Sequence, residues 1–302
     1  MRKRSKVLIV IISILLILIG SGVYAYNKIN RINKVELTET KEELNVSQET
    51  EQKSAEKHIT NILLMGVDQI ENASDSIMIL SLDKDDKIAK LTSIMRDTYV
   101  YFGEGKANKI NYAYHYGGVP LTISKLNELF NLDISKYAKV DFDGFMKIVD
   151  TFGGYDVDLT ESQRIEMNKK VGYEMVKKSG HVTLTGEQTA IYARIRLVDS
   201  DFQRTGRQRN IMLEILQKAK NLPVTSYPSV ASQLTSYIET NLSTTESLEL
   251  GKILLSIGNG GVKEFRIPID GTTKDFTAGV YHLEWEKEPN VEALHNFIYG
   301  SN

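Results

Sequence analysis

The opening of this chain constrains it most, because Val7 to Tyr26 (VLIVIISILLILIGSGVYAY) is almost continuously apolar. About 20 such residues match the hydrocarbon thickness of a bilayer. One N-terminal transmembrane helix is therefore expected over residues 7–26. Arg2, Lys3, Arg4 and Lys6 precede it. Positive charge before an apolar span predicts a cytoplasmic tail over residues 1–6, with everything after residue 26 extracellular. A cleaved signal peptide is the alternative, and Val23-Tyr24-Ala25 offers a tolerable cleavage pattern. The expected localisation is single-pass in the cell membrane.

Composition constrains the rest of the chain. Of the 37 basic residues, four lie ahead of the apolar run, so 33 face 39 acidic ones in the body. That mildly acidic body has no broad positive field, and no nucleic-acid partner is expected. The chain has no cysteine, which excludes disulfides, thiol nucleophiles and cysteine-ligated zinc. Residues 27–57 are polar and rich in glutamate, with little to bury. They predict an extracellular stalk or frayed helix ahead of a domain spanning 58–302.

From Ile59 the texture changes. ITNILLMGV (59–67), SIMILSL (76–82) and IAKLTSIM (88–95) are short apolar runs with turn-like borders, as buried strands are. A helical pattern from Pro120 to Phe130, a strand over Tyr137 to Asp141 and a helix over Phe142 to Phe152 come after them. A long helix over Phe202 to Leu222 ends at Pro223, and two helical stretches come next, Tyr227 to Thr240 and Thr244 to Ile257. A strand over Glu264 to Ile269 and a last helix over Val291 to Tyr299 close the chain. Alternating strands and helices predict an α/β fold, a three-layer α/β/α domain with a central mixed sheet.

The polar residues that carry chemistry sit at the ends of these segments. Asp68 ends the first strand, Asp75 opens the second, and Arg96-Asp97 ends the third. If the strands are neighbours, three carboxylates and a guanidinium meet at one sheet edge, the usual place for a site in an open α/β sheet. Each aspartate alone reads equally well as a turn or cap. Further on, Arg194, Arg196, Arg204, Arg207 and Arg209 fall within sixteen residues. Guanidinium forks suit phosphate oxygens, while pairing with Asp199 and Asp201 on a solvated face is the alternative. Carboxylates that suit a hard divalent cation, beside arginines that neutralise phosphate, point to phosphoryl transfer. The five histidines are scattered, with no H-E-x-x-H and no G-x-S-x-G.

The segments NILLMGVD, SDSIMILSLD, KLTSIMRDTYV, KINYAYHYGG, VDFDGFMKIVDTFGGYDVDL and LTGEQTAIYARIRLVDSDFQRTGRQRNIM together resemble the LytR-CpsA-Psr domain, in its order and spacing, over core motifs at 59–222. The resemblance implies a phosphotransferase that moves a glycopolymer, such as wall teichoic acid or capsule, from a polyprenyl-pyrophosphate carrier to a peptidoglycan hydroxyl in a Gram-positive envelope. It implies Mg²⁺, with Mn²⁺ as the substitute, on Asp68 and Asp75. It makes Asp68, Asp75, Arg96, Asp97, Arg194 and Arg196 catalytic. Arg96, Lys109, Asn111, Arg194, Arg196, Arg204, Arg207 and Gln208 would hold the pyrophosphate. Gln69-Ile70 stand where the family often has Ser-Arg, and Met95 where it often has proline. Ile77, Ile79, Phe145, Ile148, Phe152, Ile211 and Ile215 are core candidates, some of which would line a lipid tunnel. A non-catalytic envelope module that binds lipid-linked precursors, and a polyprenyl-pyrophosphate hydrolase, are the competing readings. Only the resemblance separates transferase from hydrolase.

Overall fold

The computed structural model describes residues 33–69, 71–103, 105–195 and 262–300, with part of 206–253. The strands among them are β1 Asn33–Lys34, β2 Ile59–Asp68, β3 Ala73–Asp83, β4 Ile88–Ile94, β5 Tyr99–Gly103, β6 Lys106–Lys109, β7 Lys136–Asp141, β8 Tyr155–Leu159, β9 Gly180–Leu184, β10 Ile238–Thr240, β11 Val262–Ile267, β12 Thr273–Ala278 and β13 Val280–Trp285. The helices with described bounds are α1 Gln48–Glu56, α2 Tyr112–Phe130, α3 Phe142–Thr151, α4 Glu161–Val171, α5 Gly186–Tyr192, α6 Tyr227–Leu234 and α7 Lys287–Tyr299.

Seven strands form one mixed sheet in the order β1-β10-β7-β2-β3-β4-β11. The pairs β2–β7 and β4–β11 run parallel, while β3 runs antiparallel to both β2 and β4. The C-terminal ends of β2, β4, β7 and β11 therefore share an edge with the start of β3. Side chains alternate across the sheet. Leu64, Met78, Leu80 and Val140 enter one apolar cluster with Ile148, Tyr192, Ile211 and Ile215. Leu63, Met65, Ile77, Ile79 and Tyr137 enter a second with Leu126, Phe130, Leu294 and Ile298. Both faces are covered, which is why the central strands read as unbroken apolar runs. The expected α/β/α layering is present.

Local chemistry starts and stops the helices. Asp141 caps α3 by accepting from Gly144 N at 2.7 Å. Thr160 with Gln163, and Thr185 with Gln188, form capping boxes at α4 and α5. The helix expected from Pro120 begins earlier, at Tyr112, and bends at Gly117-Gly118, where Gly118 adopts φ 63°. That bend lets Pro120 enter a first turn, where its missing N–H costs nothing. Gly154 lies at φ +88°, and an added Cβ would stand 2.6 Å from the Leu184 carbonyl oxygen.

Two expectations change. The polar segment read as a stalk is packed on the domain from residue 33 onward: β1 pairs with β10, and Leu44, Thr50 and Ser54 are buried. Hydrogen bonds hold it, with Asn127 donating to the Leu44 carbonyl at 2.8 Å and Ser54 meeting Tyr299 Oη at 3.1 Å. Such contacts leave no trace in hydropathy. Over Tyr227 to Thr240, the helix stops at Leu234, a 3₁₀ turn spans Thr235–Tyr237, and β10 comes next. Pairing of Ile238 with Val140 along the edge of β7 outweighs the local helical pattern there. The expected helix over 202–222 is helical at its described positions, including 206–208, 210–211 and 214–215, and that over 244–257 at 245–247 and 249–250. The cytoplasmic tail and the apolar run at 7–26 lie outside the described residues. Among the described residues, no helix is long and apolar enough to cross a membrane.

Candidate active site

The shared sheet edge gathers residues from four elements. Asp68 ends β2 and is 5% exposed. Opposite it the register of β2 and β3 shifts, with Gly66 facing Ser76 and Val67 facing Ser74, so Asp75 is the extra residue of a β-bulge. A bulge re-aims the side chain it frees. Arg96 and Asp97 lie just beyond β4, and Arg194 lies beyond α5, just past its C-cap.

These groups are linked by ion pairs. Arg194 Nη2 donates to Asp68 Oδ2 and, at 3.0 Å, to Asp75 Oδ2. Arg96 Nη1 donates to the other oxygen of Asp75. Asp97 receives Lys109 Nζ at 2.6 Å, and its Oδ2 lies 3.8 Å from Arg96 Nε. The Arg194 guanidinium also covers the Phe142 ring, 4.8 Å from its centroid. Among the described residues, three carboxylates thus meet three cations. Arg96 and Arg194 can take up an anion by exchanging a carboxylate oxygen for one of its oxygens.

The other expected residues divide by role. Asn111 is 4% exposed; its N–H donates to the Arg96 carbonyl and its carbonyl accepts from Ser74 N, both at 3.3 Å. It thereby ties the segment before Asp75 to Arg96. Gln208 lines a cleft beside Arg194. Arg207 is 6% exposed, donates to the Ile195 carbonyl and lies 5.9 Å from the Tyr192 ring. That contact braces the backbone next to Arg194. Arg196 and Arg204 lie outside the described residues.

Below the charged cluster, an apolar cleft opens between the sheet and α3 with α5. It encloses about 840 Å³ of empty space, its open mouth included. Leu64, Met78, Val140, Phe145 and Ile148 line the interior, and Asp75, Arg194 and Gln208 stand at its rim. Of the apolar candidates, Phe145 and Ile148 reach the cleft. Ile77 and Ile79 point into the opposite cluster, and Phe152, Ile211 and Ile215 pack in the core instead. Met78, between Ile77 and Ile79, takes the lining position through strand alternation.

Asp141 and Phe142 are not among the site residues expected from sequence, and Gln69 enters there only as a departure from the family pattern. Asp141 lines the cleft while accepting from Gln69 Nε2 at 2.6 Å, and Phe142 carries Arg194. Gln69 therefore occupies its departure from the family pattern with a contact of its own. The strand-to-helix junction Val140-Asp141-Phe142-Asp143 was the available signal.

The carboxylates suit a divalent cation of a particular kind. Asp68 Oδ2 and Asp75 Oδ2 converge on a single nitrogen, so the pair already points at one position. Among the described residues, no group of three or more acidic or histidine side chains gathers to hold a metal alone. Two carboxylates completed by phosphate oxygens and water are the usual surroundings of Mg²⁺ at a phosphoryl site. The donor set fits an ion shared with substrate.

The chain is similar to known proteins. A model of the LytR_cpsA_psr family matches residues 19–296. The teichoic acid transferase TagU of Bacillus anthracis, whose full name is polyisoprenyl-teichoic acid–peptidoglycan teichoic acid transferase, is 33% identical over 262 residues, covering 82% of this chain and 83% of its own. A structure of TagT bound to LIIa-WTA has a TM-score of 0.65 at 26% identity, covering 80% of this chain and 91% of the other. Bacillus subtilis TagV superposes with a TM-score of 0.64 at 27% identity, over 82% of this chain and 99% of the other. The chain belongs to the LytR_cpsA_psr family.

Proposed function

We propose that this protein transfers a glycopolymer from a polyprenyl-pyrophosphate carrier to a hydroxyl of peptidoglycan. The observation that carries the reading is the apolar cleft rimmed by Asp75, Arg194 and Gln208, a shape matched to an amphiphile with a long prenyl tail and an anionic head. Burying a chain is worth about 0.8 kcal/mol per methylene, so even partial insertion anchors the donor. The name of TagU, a polyisoprenyl-teichoic acid–peptidoglycan teichoic acid transferase, and the structure of TagT bound to LIIa-WTA support the same reading.

In this mechanism, the prenyl chain enters between the sheet and α3, and Arg96 and Arg194 take the pyrophosphate oxygens. The acceptor hydroxyl attacks the sugar-proximal phosphorus. One P–O bond forms to the acceptor, the bond to the bridging oxygen breaks, and polyprenyl phosphate leaves. The hydroxyl proton passes to a carboxylate of the cluster. Asp68 and Asp75 would hold Mg²⁺, with Mn²⁺ as the substitute; the ion supplies further charge neutralisation on the phosphates. Positioning and charge do most of the work in such a step. Residues 7–26 anchor the chain in the cell membrane with the domain outside.

The test incubates the purified full-length chain in detergent with a lipid-linked oligosaccharide, peptidoglycan oligomers and Mg²⁺, and identifies products by mass spectrometry. A phosphodiester-linked glycan on peptidoglycan is expected, and Asp75→Ala should demand more Mg²⁺ for half-maximal rate. Release of free glycan phosphate alone would replace transfer with hydrolysis. Transfer at the parent rate and Mg²⁺ demand by Asp75→Ala would remove the cluster from the mechanism.

A further inference from the structure

The direction of β1 fixes how the domain meets the chain ahead of it. β1 runs parallel to β10, β10 antiparallel to β7, and β7 parallel to β2. β1 therefore runs opposite to β2, and its start points toward the edge where β2 ends at Asp68. In register, Asn33 faces Glu239, Glu239 faces Lys139, and Lys139 faces Met65. Met65 lies three residues before Asp68, about 10 Å along a strand. The chain ahead of Asn33 thus joins the sheet from the side of the charged cluster.

That entry is pinned. Val35 N donates to the Thr240 carbonyl at 3.1 Å, and Tyr137 Oη donates to the Val35 carbonyl at 3.3 Å. Leu44 and Thr50 are buried further along, so residues 33–57 add no reach. Residues 27–32 are all that separates the apolar run from the sheet. The steps from Tyr26 to Asn33 extend at most about 25 Å, against about 100 Å for a free stalk over 27–57. To put the opposite edge against a membrane, those steps would first double back past Met65 to Ile59, about 20 Å of sheet. The remaining 5 Å or so is no more than a head-group layer occupies. The exposed β3–β4 turn, residues 84–87, projects beyond Ile59 still.

We infer that the edge bearing Asp68, Asp75, Arg96 and Arg194 faces the outer leaflet and is the surface on which the domain rests against the bilayer. The orientation rests on the membrane anchor proposed above for residues 7–26, with the domain outside. Tyr24 and Tyr26 stand at the outer end of that run, where aromatic rings favour the interface. Asp75 and Arg194 are also the rim of the apolar cleft, so the cleft opens on the same edge. A prenyl tail can then pass from the leaflet into the cleft without crossing water, a crossing that apolar hydration opposes. The β3–β4 turn points away from the membrane, and the acceptor glycan reaches the charged cluster from the side of the domain.

The chain has no cysteine, so a single introduced thiol reports on one edge at a time. Glu71→Cys in the β2–β3 turn marks the cluster's edge, and Lys84→Cys in the β3–β4 turn marks the opposite one; both positions are exposed. The length of β3, Ala73–Asp83, separates them by about 33 Å. Each full-length variant is placed in phosphatidylcholine–phosphatidylglycerol vesicles and labelled from outside with a membrane-impermeant fluorescent maleimide. Quenching by lipids with a nitroxide on the head group should be about threefold or more stronger at Glu71→Cys than at Lys84→Cys. A helical (EAAAK)4 spacer inserted between Tyr26 and Asn27 adds about 30 Å and should erase that difference. Equal or reversed quenching in the chain without the spacer overturns the orientation, and so does a difference that survives the spacer. A chain that the vesicles do not retain removes the anchor and the orientation with it. Transfer without the quenching difference overturns the orientation and leaves the proposed function intact. The quenching difference in a chain that transfers nothing supports the orientation and sinks the transfer.

Discussion

Arg194→Ala is the most informative single change, because one nitrogen of Arg194 serves both Asp68 and Asp75. Its removal takes a charged hydrogen bond from each carboxylate. Asp68 is 5% exposed and cannot replace the lost contact freely with water. Breaking a fully buried ion pair costs about 3–5 kcal/mol. The Arg194 side chain is 28% exposed, so solvent screens part of this, and about 2–3 kcal/mol is the reasonable expectation. For a domain of this size, each kcal/mol lowers Tm by about 2–4 °C, which gives a fall of about 4–12 °C. Transfer should fall about 10²-fold or more, since an oriented charge on the pyrophosphate is lost. Arg194→Lys should recover part of the stability and less of the rate, because an ammonium keeps the charge without the fork. Differential scanning fluorimetry and transfer kinetics on the three proteins decide the matter. An alanine variant with the parent Tm and parent rate would refute the assignment of Arg194 as the bridge between the carboxylates and the substrate.

The remaining expectations test separate features. Ala193→Phe places a ring in the cleft that Ala193 lines, so polyprenyl-pyrophosphate affinity should drop at least tenfold, at an overpacking cost of about 1–3 kcal/mol; unchanged lipid binding by titration would move the lipid elsewhere. Arg207→Met keeps the buried stem but removes the donor to the Ile195 carbonyl, so about 1–3 kcal/mol should be lost in urea unfolding, with slower transfer through displaced Arg194. Burial, with Lys109 nearby, holds the His282 imidazole below its usual range. The unfolded chain therefore takes up a proton near pH 6.5 that the folded chain refuses, and stability falls as pH drops through and below that value. His282→Phe should narrow the Tm difference between pH 7.5 and pH 5.5; an unaltered difference would remove His282 as a contributor.

Sequence alone carried the strand runs, their acidic ends and the arginine-rich segment, because each is a local pattern. Buried central strands must be apolar on both faces, so NILLMGV and SIMILSL declared themselves without reference to their neighbours. Sequence could not show which side chains converge. Arg194 reaches Asp68 across 126 positions of chain, a contact that exists only after β2 and α5 are packed together. Asp75 is aimed by a bulge that depends on the pairing of β2 with β3, and parity along β3 sends Met78 to the cleft and Ile77 and Ile79 away from it. A shift of one residue in that register would exchange the two sets. The docked segment before β2 was hidden for a related reason: Asn127, Asn131 and Tyr299 hold it by hydrogen bonds from distant elements, and its composition records only that it is polar. Local patterning decides which segments become strands and helices, whereas the charged cluster and the apolar cleft arise from register and long-range packing, which no short stretch of sequence contains.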